Sequence, residues 1–287
     1  MASPSAGPRR YRGLPDRCGQ RRSRCYSRRS RPQSARSQRR GTPSAQTKPM
    51  TVARRQLVAG AVLLCGFIYV FLELLAARAW VNPPYDWAVN FISDLGYSDC
   101  AVVKGLRICS PLHPLMNLGF MIQGIVFVVG ALLVVRVIVY RRAWRWLVDT
   151  LMVASGIGTF FVGVFHQSLA LSAAGLNWLH IAAATVAIGP GNVGILLLGV
   201  LAARTVHWRS YGFAILAVGV FGVISSLLLI SGLTLGVGKG FVERLAVYPL
   251  NTWTIGTGVG LAVLGIRDRM KTRRAQRPLS SLARQQR

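Results

Sequence analysis

The chain sets three histidines, His113, His166 and His180, and five carboxylates, Glu73, Asp86, Asp94, Asp99 and Glu243, near the ends of long apolar runs. Imidazole nitrogens and carboxylate oxygens bind divalent metals, and a carboxylate beside a metal-bound water acts as a general base. His113, His166 and His180, with Asp94 or Glu73, therefore form one candidate centre, for a divalent metal and hydrolysis of lipid at a membrane surface. No HxxxH or HExxH spacing accompanies them. Charged groups at membrane depth are costly and tend to be paired or functional. A second reading of the same region follows from that cost: Glu73, Ser93, Asp94, His113, Asn117, His180, Glu243 and Arg244 form a polar cluster that holds helices together or takes a small ligand or lipid headgroup.

Local patterns indicate how these residues would be positioned. His113 and Asn117 are four apart, hence on one face of a helix. Ser110-Pro111 just before them reads as an N-cap followed by proline at the first helical position. His166 ends one apolar run and His180 opens the next, so a short turn would bring both rings to one depth. Glu73 lies about one turn from the end of the first run, where Arg78 or Arg244 is the expected partner. Glu243-Arg244 precedes the last run, as a helix cap and a partner for another span.

The elements that carry them follow from composition. Hydrophobic residues make up 52% of the chain, yet the formal charge is +27; both are accommodated only if charge and apolar surface are segregated along the sequence. Six segments reach the ~20 apolar residues that a membrane span needs: 57–77, 112–139, 147–165, 178–203, 211–233 and 245–266. Their apolar character is continuous rather than alternating, which predicts an all-α bundle of about six spans and not a barrel. Arg54 and Arg55, then Arg141, Arg142 and Arg145, then Arg204 and Arg209, then Arg267 and the arginines after it, mark every second connection. Basic segments resist translocation, so these connections, and both termini, are expected on the cytoplasmic side. The polar cluster then faces outward. Arg54-Arg55 followed by an apolar run and Ala77-Arg78-Ala79 also resembles a cleaved secretory signal, but the run is long and contains Glu73, which favours a retained helix.

Residues 1–49 hold thirteen arginines and Lys48 against Asp16 alone, a composition that cannot bury enough apolar surface to fold. Such a tail is attracted to anionic lipid or nucleic acid, although Met50-Thr51-Val52-Ala53-Arg54-Arg55 is itself an ordinary start for a membrane protein. Residues 50–266 form the membrane domain, for which membrane lipid and no nucleic acid is the expected partner, and 267–287 a basic tail. The preference for arginine over lysine points to a GC-rich coding sequence and a bacterial source, hence a bacterial cytoplasmic membrane. Cys18 and Cys25 lack zinc-ligand spacing. Cys100 and Cys109, nine positions apart in the first outward connection, are a disulfide candidate if that compartment is oxidising.

Gly189-Pro190-Gly191-Asn192 falls near the middle of the fourth run. A break there would expose carbonyls, with Asn192 available to satisfy them, as in helices that line transport sites. That feature and Glu73 are the pointers to a secondary transporter. No phosphate-binding loop, CxxCH haem site or Ser-His-Asp signature occurs, so powered transport, redox chemistry and serine hydrolysis gain no support, and no cofactor beyond a divalent metal is implied.

Four short motifs carry a resemblance: Asn90-Phe91-Ile92-Ser93-Asp94-Leu95-Gly96, Asn117-Leu118-Gly119-Phe120, Leu179-His180 and Glu243-Arg244. Together, and in this order, the chain from about Leu57 to Ile266 resembles the DUF998 proteins, multi-span membrane proteins of uncharacterised function. The resemblance implies a helical membrane bundle and no particular activity. His166 stands where a proline-containing turn is expected in such sequences, which argues against a metal site common to them.

Overall fold

The computed structural model describes residues 52–103 and 105–285, with side chains to Lys271. The Arg-rich tail, the start at Met50 and Cys18 with Cys25 lie outside the described residues. The regular elements within them are helices apart from one small hairpin. The helices are α1 (Val52–Leu64), α2 (Gly66–Ala79), α3 (His113–Ile138), α4 (Arg142–Val164), α5 (Leu169–Ala173), α6 (Asn177–Ala203), α7 (Arg209–Ser231) and α8 (Lys239–Gln285). α1 and α2 are interrupted at Cys65 but together make a 28-residue apolar segment.

Five segments are long and apolar enough to cross a membrane: Val52–Ala79, His113–Ile138, Arg142–Val164, Asn177–Ala203 and Val206–Ser231. Only 28–56% of each apolar window is buried inside the protein, and the outward positions carry side chains such as Phe71, Ile125, Leu227 and Ile230, each more than half exposed. Water would not tolerate that surface; lipid does. The protein is a multi-pass helical membrane protein. The sixth expected span, 245–266, lies inside α8 and is not among those five, and its run contains Asn251, Thr252, Thr254 and Thr257. α8 then continues through the basic tail to Gln285 without a break.

Successive helices are neighbours: α2 packs on α3, α3 on α4, α4 on α6, α6 on α7 and α7 on α8, while α8 returns to α1. The helices thus close a ring in chain order. Small residues permit the approach, as is usual where packing rather than water drives helix association. A Cβ on Gly60 of α1 would meet the Ala262 amide nitrogen of α8 at 2.9 Å, and one on Gly258 would meet Leu63 at 2.9 Å. Gly124 of α3 and Gly156 of α4 sit equally close at their crossing.

Two apolar clusters fill the ring. One, near the arginine-rich connections, contains Phe127, Val135, Val148, Met152, Leu198 and Trp253. The other, near the opposite end, contains Tyr69, Trp80, Ile92, Leu95, Met116 and Phe120. The long connection from α2 to α3 covers that opposite end. It carries a 3-10 turn at Ser93–Gly96 and an antiparallel hairpin, β1 (Ala101–Val103) and β2 (Leu106–Ile108), whose flanking Cys100 and Cys109 are joined as a disulfide.

Two local expectations fail for identifiable reasons. Ser110 does not cap α3: the helix begins at His113, Leu112 occupies the cap position without a side-chain bond, and proline falls in the first turn as Pro114. The Ser110 hydroxyl instead donates to the Leu95 carbonyl at 2.7 Å, fastening the covering connection. Nor is α6 broken at Gly189-Pro190-Gly191; it is helical from Asn177 to Ala203 with Pro190 inside. Asn192 shares its amide hydrogens among the Ile188 carbonyl at 3.1 Å, the Ser226 hydroxyl of α7 at 2.9 Å and the Ala246 carbonyl of α8 at 2.8 Å. Ties to both neighbours hold the helix through its proline, so the carbonyl-exposing break that pointed to transport is absent.

Candidate functional site

Arg244 organises the covered end of the ring. It sits in the second turn of α8, 4% exposed, and its guanidinium turns away from the ring interior towards the connection after α2. Nη1 donates to the carbonyls of Trp87 and Asn90, each at 2.9 Å, and of Gly240 at 2.8 Å. Nη2 donates to the Tyr85 hydroxyl, which itself donates to the Phe91 carbonyl at 2.8 Å. The charge also lies over the rings of Tyr85 and Trp87, with centroids at 5.4 and 4.8 Å, a favourable placement for a desolvated cation. Burial disfavours the charged guanidinium, but Tyr85, Glu73 and Glu243 outweigh it and hold Arg244 firmly protonated.

Glu73 of α2 is 1% exposed. It accepts from the Tyr248 hydroxyl at 2.9 Å and lies 3.8 Å from Arg244 Nε, so Arg244 rather than Arg78 is its partner. Asp94 is buried and accepts the Phe91 N–H at 2.8 Å. Burial raises its carboxyl to about 6, against the lowering effect of that bond, of Asn90 and of Arg244. Glu243 accepts the Ile92 N–H instead of capping α8. Burial raises it to about 8; the Ile92 amide and Arg244 pull it down, and Asp94 and Glu73 push it up. The connection from 85 to 94 is thus gripped by adjacent side chains of α8, Glu243 taking an N–H and Arg244 the carbonyls.

Below this cover lies a cavity at the junction of the two apolar clusters. Its walls come from α2, α3, α4, α6 and α8, and most are apolar, including Phe120, Phe127, Val162, Ala187, Val247 and Leu250. Its polar lining includes Glu243, Ser93 and His180. The His180 Nδ1 lies 2.9 Å from the Phe165 carbonyl; a carbonyl only accepts, so Nδ1 carries the proton and Nε2 is left as an acceptor.

Three further polar side chains line the same cavity and have no hydrogen-bond partner among the described residues: the Tyr69 hydroxyl, both ends of the Gln123 amide and the Asn251 Nδ2. They are 1%, 4% and 6% exposed. A buried polar group left unpaired costs roughly 1–3 kcal/mol, and here three such groups border one space. Sequence reading missed all three. Their signal was available in part, since Gln123 and Asn251 are carboxamides inside apolar runs.

The other expected site residues are dispersed. Asn117 donates to the Gly96 carbonyl at 3.0 Å, a bond that anchors the covering connection. His113 stands next to His166, ring centroids 6.5 Å apart, whereas His180 faces the cavity; the short helix α5 intervenes in the turn between His166 and His180. Asp99 accepts the Leu169 N–H at 2.8 Å. Among the described residues no three His, Cys, Asp or Glu side chains are grouped to hold a metal ion, so His113, His166 and His180 are not assembled as ligands with Asp94 or Glu73.

Neither a curated protein nor a solved structure matches the chain. Residues 63–260 match the family described as a protein of unknown function, DUF998. That match spans α2 to α7, the first half of α8, the covering connection and the cavity, and places the chain in the DUF998 family.

Proposed function

We propose that this is a small-ligand-binding protein of a bacterial cytoplasmic membrane, with both termini cytoplasmic, in which the polar cluster holds the covering connection and the cavity beneath it receives an amphipathic molecule. One observation carries the reading: Tyr69, Gln123 and Asn251, each nine-tenths or more buried, present unpaired polar atoms around a single cavity whose remaining walls are largely apolar. Binding sites for small molecules combine apolar walls with a few convergent polar groups in this way. Arg244 and Asp94 serve a different purpose, since their bonds run to the backbone of the connection.

Native mass spectrometry of protein purified in mild detergent tests the cavity. The expected result is a non-covalent adduct on the wild type that is lost in Ala187→Phe, which fills the space, while thermal stability is kept. A wild type without adduct, or an adduct indifferent to Ala187→Phe, refutes the reading. Fusions of a reporter fluorescent only in the cytoplasm are expected to light up at either terminus.

A further inference from the structure

The charges around the cavity are unbalanced. Among the described residues Arg244 is the one guanidinium that acts on Glu73, Asp94 and Glu243, and of these three only Glu243 lines the cavity. Arg244 is not itself on the cavity wall, and its donors are directed to the Trp87, Asn90 and Gly240 carbonyls and to Tyr85. Glu243 is on the wall. Among the described residues its carboxylate receives one hydrogen bond, from Ile92, and no basic side chain lies within 4 Å of it. Nor does any described lysine or arginine line the cavity.

The neighbouring lining suits the same charge sign. Tyr69, Phe120 and Phe127 supply aromatic surface to the walls, and aromatic faces attract cations, most strongly where water is excluded. Gln123 Oε1 is an unpaired acceptor and His180 Nε2 is a second by its tautomer, while the unpaired Tyr69 hydroxyl, Gln123 Nε2 and Asn251 Nδ2 are donors left for an acceptor atom elsewhere on the ligand. With Glu243 ionised, an anionic group such as phosphate would sit beside it with no cation on the wall to meet it, a desolvated like-charge contact.

We propose that the cavity selects an organic ammonium ion, whose cationic head meets the Glu243 carboxylate and whose apolar body lies against Tyr69, Phe120 and Phe127. This rests on the cavity being a ligand site and specifies the ligand's chemistry. The ammonium belongs either to a free amine or to an aminated lipid headgroup.

Two probes of one shape separate the claims: benzyltrimethylammonium and its uncharged isostere neopentylbenzene, titrated by equilibrium dialysis against the full chain in detergent. At pH 9, where Glu243 is ionised, the wild type is expected to hold the cation at least tenfold more tightly. Glu243→Gln keeps an acceptor for the Ile92 N–H and should retain the neutral probe while losing the preference; Glu243→Asp, which keeps the charge, should retain part of it. The wild-type preference should also rise between pH 6 and 9 as Glu243 ionises, within the field of Asp94 and Tyr85 on the connection, Glu73 and Tyr69 on α2, His180 on α6 and Arg244 on α8. Equal affinities in the wild type, or a preference unchanged in Glu243→Gln, overturns cation selection and leaves the cavity reading intact. Binding of neither probe overturns both. In nanodiscs, weaker probe binding with phosphatidylethanolamine than with phosphatidylglycerol alone identifies the amine of a lipid as the occupant; equal binding identifies a free amine.

Discussion

Replacing Arg244 with methionine removes the guanidinium and keeps most of its aliphatic stem, so the perturbation falls on hydrogen bonds and charge. Three backbone carbonyls, those of Trp87, Asn90 and Gly240, lose their Arg244 bonds together, and Glu73 loses its ion pair. Each lost bond costs on the order of 1 kcal/mol, and breaking a buried charge pair by deleting one partner costs about 3–5 kcal/mol. These are overlapping descriptions of one event, so the expected loss is about 3–5 kcal/mol. Unfolding in mixed detergent micelles measures it, with Arg78→Met as the reference because Arg78 is exposed and expected to be near neutral. Arg244→Lys keeps the charge but not the planar fork, and should recover only part of the loss. A double-mutant cycle with Glu73→Gln should assign the smaller share to the 3.8 Å ion pair. If Arg244→Met lies within about 1 kcal/mol of Arg78→Met, the clamp of α8 on the covering connection is not what holds this end of the protein together.

Three other outcomes follow from the same geometry. Asp94 and Glu243 titrate at about 6 and about 8 in the folded chain, above their ordinary values; the folded state therefore keeps protons that the unfolded chain has released, and stability should fall as pH rises from about 4 to about 8. Thermal scans across that range should show the fall, and Glu243→Gln should remove the part above pH 6. Reducing the Cys100–Cys109 bond, or changing both residues to serine, should cost roughly 2–3 kcal/mol from the closed nine-position loop, read as a lower unfolding midpoint under reducing conditions. Asn192→Leu should cost about 2–4 kcal/mol by leaving the Ser226 hydroxyl and Ala246 carbonyl without its donors, and trypsin digestion should show α7 and α8 loosened before α3 and α4.

The spans were readable because an unbroken apolar run of about 20 residues matches the thickness of a bilayer, and a water-soluble fold has little room to bury one. α6 and α7 begin and end within about two residues of the expected limits, while α4 starts at Arg142, earlier than expected, because Trp144 and Trp146 extend the helix past the most apolar stretch. The pairing of Glu73 with Arg244 was one of two options that proximity to helix ends allowed. What proximity did not contain was the path of the backbone between Trp80 and Gly96. That path supplies the carbonyls for Arg244 and the N–H for Glu243, and its residues Tyr85, Trp87 and Asn90 look like ordinary loop positions until their partners are known. Ser110 shows the opposite error, in which a correct local propensity loses to a long-range bond with Leu95. Gln123 and Asn251 required the ring to be closed before their common direction had meaning.

The closed ring also sets an order for biosynthesis. α8 leaves the ribosome after the other helices of the ring, yet it supplies Glu243, Val247, Leu250 and Asn251 to the cavity and Arg244 to a connection made some 150 residues earlier. Until it inserts, the α2–α3 connection has no clamp, α1 has no neighbour on that side, and the cavity stands open along one wall. A premature stop before residue 240 would take away Glu243, Val247, Leu250 and Asn251 from the cavity wall and Arg244 from the connection, while leaving most of the apolar helices in the membrane.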